Sequence, residues 1–88
     1  MRKIQSWILD RFDLPADVTS KVPRILMVGS SRIHVENHKG IERFSSTELW
    51  LRLYQGKLAI TGEELVIRVA YPDEVVVEGR IDEVKFQK

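Results

Sequence analysis

The sequence predicts an all-β domain preceded by one amphipathic helix. From Arg24 onward, apolar residues recur at every second position, the period of a half-buried strand. Glycine, proline, asparagine and serine residues bound each of these runs, as in sheets with tight turns. Before Arg24 the apolar period is that of a helix instead. We therefore expect short antiparallel strands in a meander, folded into a two-layer sandwich or a partial barrel.

The predicted helix covers residues 1–13. Its apolar residues lie at i, i+3, i+4 and i+8, which places them on one helical face: Ile4, Trp7, Ile8 and Phe12. Pro15 ends the helix, because the residue before a proline is disfavoured in helical conformation. Residues 14–23 then form a connector, and residues 24–88 form the β domain.

Five alternating runs define the predicted strands of the β domain. They are centred on Ile33 and Val35, on Leu49 to Leu53, on Leu58 and Ile60, on Leu65 to Val69, and on Val75 and Val77. With the flanking segments, this pattern predicts seven or eight strands. Gly62 and Gly79 are interpreted as turns that separate successive strands.

Composition limits the classes of function. The 88 residues are enough for one small domain, and the formal net charge is only +1. A dedicated nucleic-acid-binding domain usually carries a clear basic excess. The absence of cysteine excludes disulfides, zinc–thiolate sites and thiol nucleophiles.

Catalytic and cofactor chemistry find little support in the sequence. His34 and Glu36 share a strand face and His38 follows in a turn, but a metal site needs three or four converging ligands. The segment is therefore predicted to be a surface strand and turn. The adjacent acidic pairs, Asp73-Glu74 among them, are expected to be solvated at turn edges. We predict no enzyme activity, no catalytic residue, no cofactor, no metal and no small-molecule substrate.

The second face of the predicted strands is unusually apolar. It carries Trp50, Tyr54 and Val66, where a sheet with one solvated face would show charges. Either the second layer of a sandwich or the N-terminal helix covers this face, or it is a surface for self-association or for a partner. An alternative function is a small β-barrel that binds single-stranded nucleic acid or another ligand through Trp50, Arg52 and Tyr54, since stacking aromatics beside basic residues suit that role.

The order of several motifs adds a resemblance. The chain runs through Leu-Pro-Ala-Asp-Val (14–18), Pro-Arg-Ile (23–25), Val-Glu-Asn-His-Lys-Gly-Ile (35–41) and Val-Glu-Gly-Arg-Ile (77–81). This order resembles the YabP/YqfC family of sporulation proteins, with the YqfC branch the more similar. The resemblance implies a role in late spore development in the mother cell, beside a YqfD-type membrane protein. No catalytic residues are known for that family.

Together these observations predict a non-enzymatic assembly or scaffold protein of sporulation. We expect a homo-oligomer without nucleic acid, docked on the membrane protein through residues 1–13. The expected contact residues are aromatic, since aromatic side chains dominate binding energy at interfaces: Trp7, Phe12, Trp50 and Tyr54. Whether the helix contacts lipid, protein or its own sheet stays open. The expected location is the mother-cell cytoplasm, peripheral at the membrane surrounding the forespore.

Overall fold

The computed structural model describes residues 22–88, and the predicted helix and most of the connector lie outside this range. The described part contains six strands: β1 (Arg24–Val28), β2 (Arg32–Glu36), β3 (Gly40–Phe44), β4 (Glu48–Arg52), β5 (Lys57–Tyr71) and β6 (Glu74–Gln87). Every strand pair is antiparallel. The predicted all-β, antiparallel class is thus confirmed. Within residues 22–88, no helix is long and apolar enough to cross a membrane.

The strands form one sheet in the order β1-β2-β6-β5-β4-β3. The meander is broken once, because β2 and β3 are consecutive in the chain yet four positions apart in the sheet. In a flat sheet that separation is about 19 Å, at about 4.8 Å per strand. The chain from Glu36 to Gly40 spans at most about 14 Å. The sheet must therefore bend, which brings the end of β2 at Glu36 near the start of β3 at Gly40.

The bend lies inside the two longest strands, and here the sequence-based interpretation of Gly62 and Gly79 as strand ends is wrong. Register shifts in the β5–β6 pair occur beside Gly62 and again between Glu63 and Val66. Gly79 has a φ of 140° and Glu64 a φ of 54°. Such bulges turn a strand without ending it. Predicted runs on either side of each glycine are therefore joined into β5 and β6, which gives six described strands rather than seven or eight.

The backbone donors freed at the bends are satisfied by the two short hairpin turns. In β6, Gly79 N donates to Ser31 O at 3.1 Å and Ile81 N to Ser30 O at 2.8 Å. In β5, Gly62 and Leu65 likewise donate to carbonyl oxygens of the β3–β4 turn, at 2.9 and 2.8 Å. Because unpaired buried backbone groups are costly, these contacts fix where the sheet bends.

One hydrophobic cluster draws on both halves of the bent sheet, so the expected two layers are parts of one sheet rather than two. Its members come from four strands and the turn after β4: Ile33, Val35, Leu49, Leu51, Leu53, Leu58, Ile60, Leu65, Val75, Val77 and Ile81. Burying each such side chain stabilises the fold by roughly 1.5–3 kcal/mol before entropy is counted. The face that carries these residues is called the core face below, and the opposite one the outer face.

Candidate functional site

A buried polar cluster lies on the outer face of β1, β2 and β6. Glu36 stands between Arg24 of β1 and Glu74 of β6 in the strand register. His34 lies two residues before Glu36, so both project from the same face of β2. His34 is 8% exposed and Glu36 is 5% exposed. Polar side chains at such depth require partners, because water no longer solvates them.

Several of these partners lie within the cluster itself. His34 Nε2 lies 2.5 Å from Glu74 Oε2 and 3.6 Å from Glu36 Oε2. The Arg24 Nε–H donates to the other oxygen of Glu36, Oε1, at 3.3 Å. Thus one imidazole nitrogen and two carboxylate oxygens lie close together, and the guanidinium of Arg24 binds the other oxygen of Glu36.

The depth of this cluster differs from the sequence prediction. The prediction of a surface strand and turn at His34, Glu36 and His38 is wrong, since all three are buried. Glu74 was expected to be solvated at a turn edge, but it is half-buried against His34. Sequence alternation does place His34 and Glu36 on one face, yet nothing local identifies a partner 40 residues further on.

His38 lies at the point where the loop between β2 and β3 joins the two halves of the sheet. On one side Asn37 N donates to Asp73 O at 2.8 Å, and on the other Lys39 N donates to Arg52 O at 2.7 Å. His38 is 2% exposed, and among the described residues its Nδ1 is a buried atom without a hydrogen-bond partner. Desolvation lowers the pKa of His38, opposed by the charge of Asp73 and by a hydrogen bond to the Asp73 backbone.

The lowered pKa of His38 predicts a stability loss in mild acid. Because the pKa of His38 is lowered in the folded state, the unfolded chain binds a proton at His38 more readily than the folded chain does. The stability that depends on neutral His38 is therefore complete above the ordinary histidine pKa of 6.5, and it is lost as pH falls through the pKa of the folded state. We expect the free energy of unfolding to fall less in His38→Gln than in the wild type between about pH 7.5 and about pH 5.5. Urea denaturation at both pH values measures this. Equal losses in both proteins would contradict the role of His38.

A second row of charges extends the outer face toward the bend. Glu78 accepts hydrogen bonds from Arg68 Nε at 2.8 Å and Arg32 Nε at 2.9 Å. These two guanidinium groups hold the pKa of Glu78 below its usual range. Solvent-exposed pairs of this kind add little stability. Glu78 is thus a carboxylate of the same face that binds two arginines, whereas Glu74 lies against His34.

The similarity of this chain to known proteins extends over all six described strands. The amino-acid sequence matches the YabP family over residues 19–88. The chain belongs to the YabP family. It is also similar to "Uncharacterized protein YqfC" of Bacillus subtilis (strain 168), with 39% identity over 84 residues. That alignment covers 96% of this chain and 90% of the relative. The family resemblance found in the motif order is thereby confirmed.

The aromatic residues singled out in the sequence of this YabP-family protein are dispersed. Trp7 and Phe12 lie outside the described residues. Trp50 is half-buried on the outer face of β4, and its Nε1–H donates to Glu48 Oε1 at 2.6 Å. Tyr54 is 52% exposed, but it lies in the turn after β4 rather than on that strand. Trp50 and Arg52 therefore share a strand, and Tyr54 does not extend their row.

The surroundings of Trp50 have mixed charge. A shallow pocket beside it is lined by Glu42, Arg43, Trp50 and Lys57. Within it, Lys57 Nζ lies 2.8 Å from Glu42 Oε2, and an Arg43 guanidinium nitrogen lies 3.9 Å from Glu48 Oε2. Single-strand binding needs cations that face phosphates along a groove. Cations already paired with carboxylates do not favour that function here.

Proposed function

We propose that this YabP-family protein is a non-enzymatic, self-associating assembly component of sporulation, and that copies join through β1. One observation carries the self-association: among residues 22–88, β1 is an outermost strand of the sheet, and its last two residues are exposed and apolar. Met27 is 41% exposed and Val28 is 53% exposed. They lie on opposite faces of β1, because successive side chains alternate along a strand.

The two outermost strands differ in how open they are to pairing. β3 contains a register shift between Ile41 and Arg43, and such irregularities are a common protection of sheet edges. β1 pairs with β2 in regular register along all five residues, and its sequence, Arg-Ile-Leu-Met-Val, contains neither proline nor lysine. A second copy of β1, antiparallel to the first, would satisfy the edge groups of both strands across a two-fold axis.

The remaining parts of the proposal rest on the family resemblance. It implies a role in late spore development in the mother cell, next to a YqfD-type membrane protein. Residues 1–13, with Trp7 and Phe12, are the proposed tether to that protein. Trp50 and Tyr54 lie on β4 and in the turn that follows it, away from β1, and are proposed as further docking contacts. No enzyme activity, cofactor, nucleic acid or small-molecule substrate is part of this function.

The self-association is tested by the mass of the purified chain. We expect light scattering across a concentration series to show a dimer or larger species. Val28→Lys should shift the mass toward the monomer, because full-length antiparallel pairing of β1 places residue 28 opposite Arg24 of the second copy, and like charges in direct cross-strand pairs are destabilising. The measurement is size-exclusion chromatography with multi-angle light scattering.

Tyr71→Lys is the matched control. Tyr71 is 60% exposed and apolar, but it lies at the turn between β5 and β6 rather than on an outermost strand. The control should keep the mass of the wild type. A wild-type monomer at every concentration, or equal effects of both lysine variants, would contradict pairing through β1.

A further inference from the structure

We propose that His34, Glu36 and Glu74 form a binding site for a divalent transition-metal ion. The ligand atoms are one imidazole nitrogen and one oxygen from each carboxylate, and all lie within 4.8 Å of one another. This inference concerns the outer face and is independent of self-association through β1.

The donor set selects a class of metal. One imidazole with two carboxylates suits zinc and related transition metals, which take three protein ligands and leave a position for water. Magnesium and calcium prefer sites composed of oxygen ligands and retain or require more of them. The expected ion is therefore zinc or a similar divalent metal rather than Mg²⁺ or Ca²⁺.

The strands hold the three side chains in position before any ion arrives. Two ligands lie at i and i+2 of β2, and the third is the direct cross-strand partner of Glu36 on β6. Arg24 bonds Glu36 Oε1, which leaves Oε2 on the side of His34. Hydrogen bonds from neighbouring residues to the ligands are typical of metal sites, because they fix the orientation of each ligand and tune its basicity. Binding then requires little rearrangement of the backbone.

Space for the remaining ligands lies next to the cluster. A small open cleft with a volume of about 80 Å³ is lined by Arg24, Glu36, Asn37, Asp73 and Glu74. A few water molecules fit in this volume, and two walls of the cleft are the proposed ligands themselves. The cleft also provides a route by which an ion in solution reaches the half-buried Glu74.

The test is isothermal titration calorimetry of the tag-free 88-residue chain with Zn²⁺. We expect one Zn²⁺ per chain, and no comparable heat from Mg²⁺. Glu74→Gln should weaken Zn²⁺ affinity by at least about tenfold, since it removes the charge of one ligand and keeps its shape. His34→Ala should have at least the same effect. Circular dichroism of each variant establishes that it is folded, and Glu74→Gln, at a half-buried position, keeps the test available if His34→Ala does not fold.

Glu78→Gln is the matched control, because Glu78 is a carboxylate of β6 on the same face whose ion pairs, among residues 22–88, are with Arg32 and Arg68. It should bind Zn²⁺ with the affinity of the wild type. Absence of Zn²⁺ binding by the wild type would overturn the proposal. So would a folded Glu74→Gln variant with unchanged affinity, or an equal loss in Glu78→Gln, either of which would indicate nonspecific surface binding.

Discussion

Gly62→Ala is expected to abolish the folded state or to leave it marginal. A β-carbon at Gly62 would lie 1.9 Å from Arg80 O and 2.9 Å from its carbonyl carbon, both backbone atoms of the paired strand. Backbone in a bulge cannot move aside as a flexible side chain can. The cost should be on the order of 3 kcal/mol or more, a large fraction of the stability of a small domain. The free energy of unfolding from urea denaturation measures this effect.

Gly29→Ala separates steric conflict from loss of backbone freedom. Gly29 has a φ of 54°, which disfavours alanine, but nothing lies within 4 Å of a β-carbon placed there. This variant should lose only about 1–2 kcal/mol. If the two variants were equally destabilised, the close approach of β5 and β6 at Gly62 would not be what makes glycine necessary there.

Gly62 also illustrates why strand number could not be predicted from local sequence. A glycine between two alternating apolar runs has the same local pattern whether it forms a turn or a bulge in a continuous strand. The difference depends on the cross-strand partner, here Ile81, and on the β3–β4 turn, where Thr47 O accepts the Gly62 N–H. Those contacts are distant in sequence. The alternating runs themselves were predicted correctly as strands, because their period depends only on neighbouring residues.

The polar cluster shows the same division between local and distant information. Alternation along β2 predicts that His34 and Glu36 share a face, and they do. Polarity favours exposure of both, which the structure contradicts. The pairing of β2 with β6 places Glu74 beside them across 40 residues of sequence. A polar residue is normally exposed, so a buried group of three is found only when the sheet order is known.

The hydrophobic core gives the second large expected effect. Leu51→Ala should destabilise the domain by roughly 2–5 kcal/mol, the range for removing a fully buried leucine. Leu51 has no exposed surface and lies in β4, between β3 and β5. Its neighbours are held by strand pairing on both sides, so the sheet cannot collapse readily into the space left behind. Urea denaturation followed by circular dichroism gives the free energy of unfolding.

Ile41→Ala is the matched control for Leu51→Ala. Ile41 is the cross-strand partner of Leu51 in β3, and the substitution removes the same number of carbon atoms from a side chain that is 38% exposed. Its cost should be clearly smaller, because part of the lost surface was already in water. Both variants are measured at two protein concentrations, since stability gained from self-association depends on concentration. A cost for Ile41→Ala that equals that of Leu51→Ala, and that does not vary with concentration, would mean that β3 is part of the core rather than an edge of the sheet.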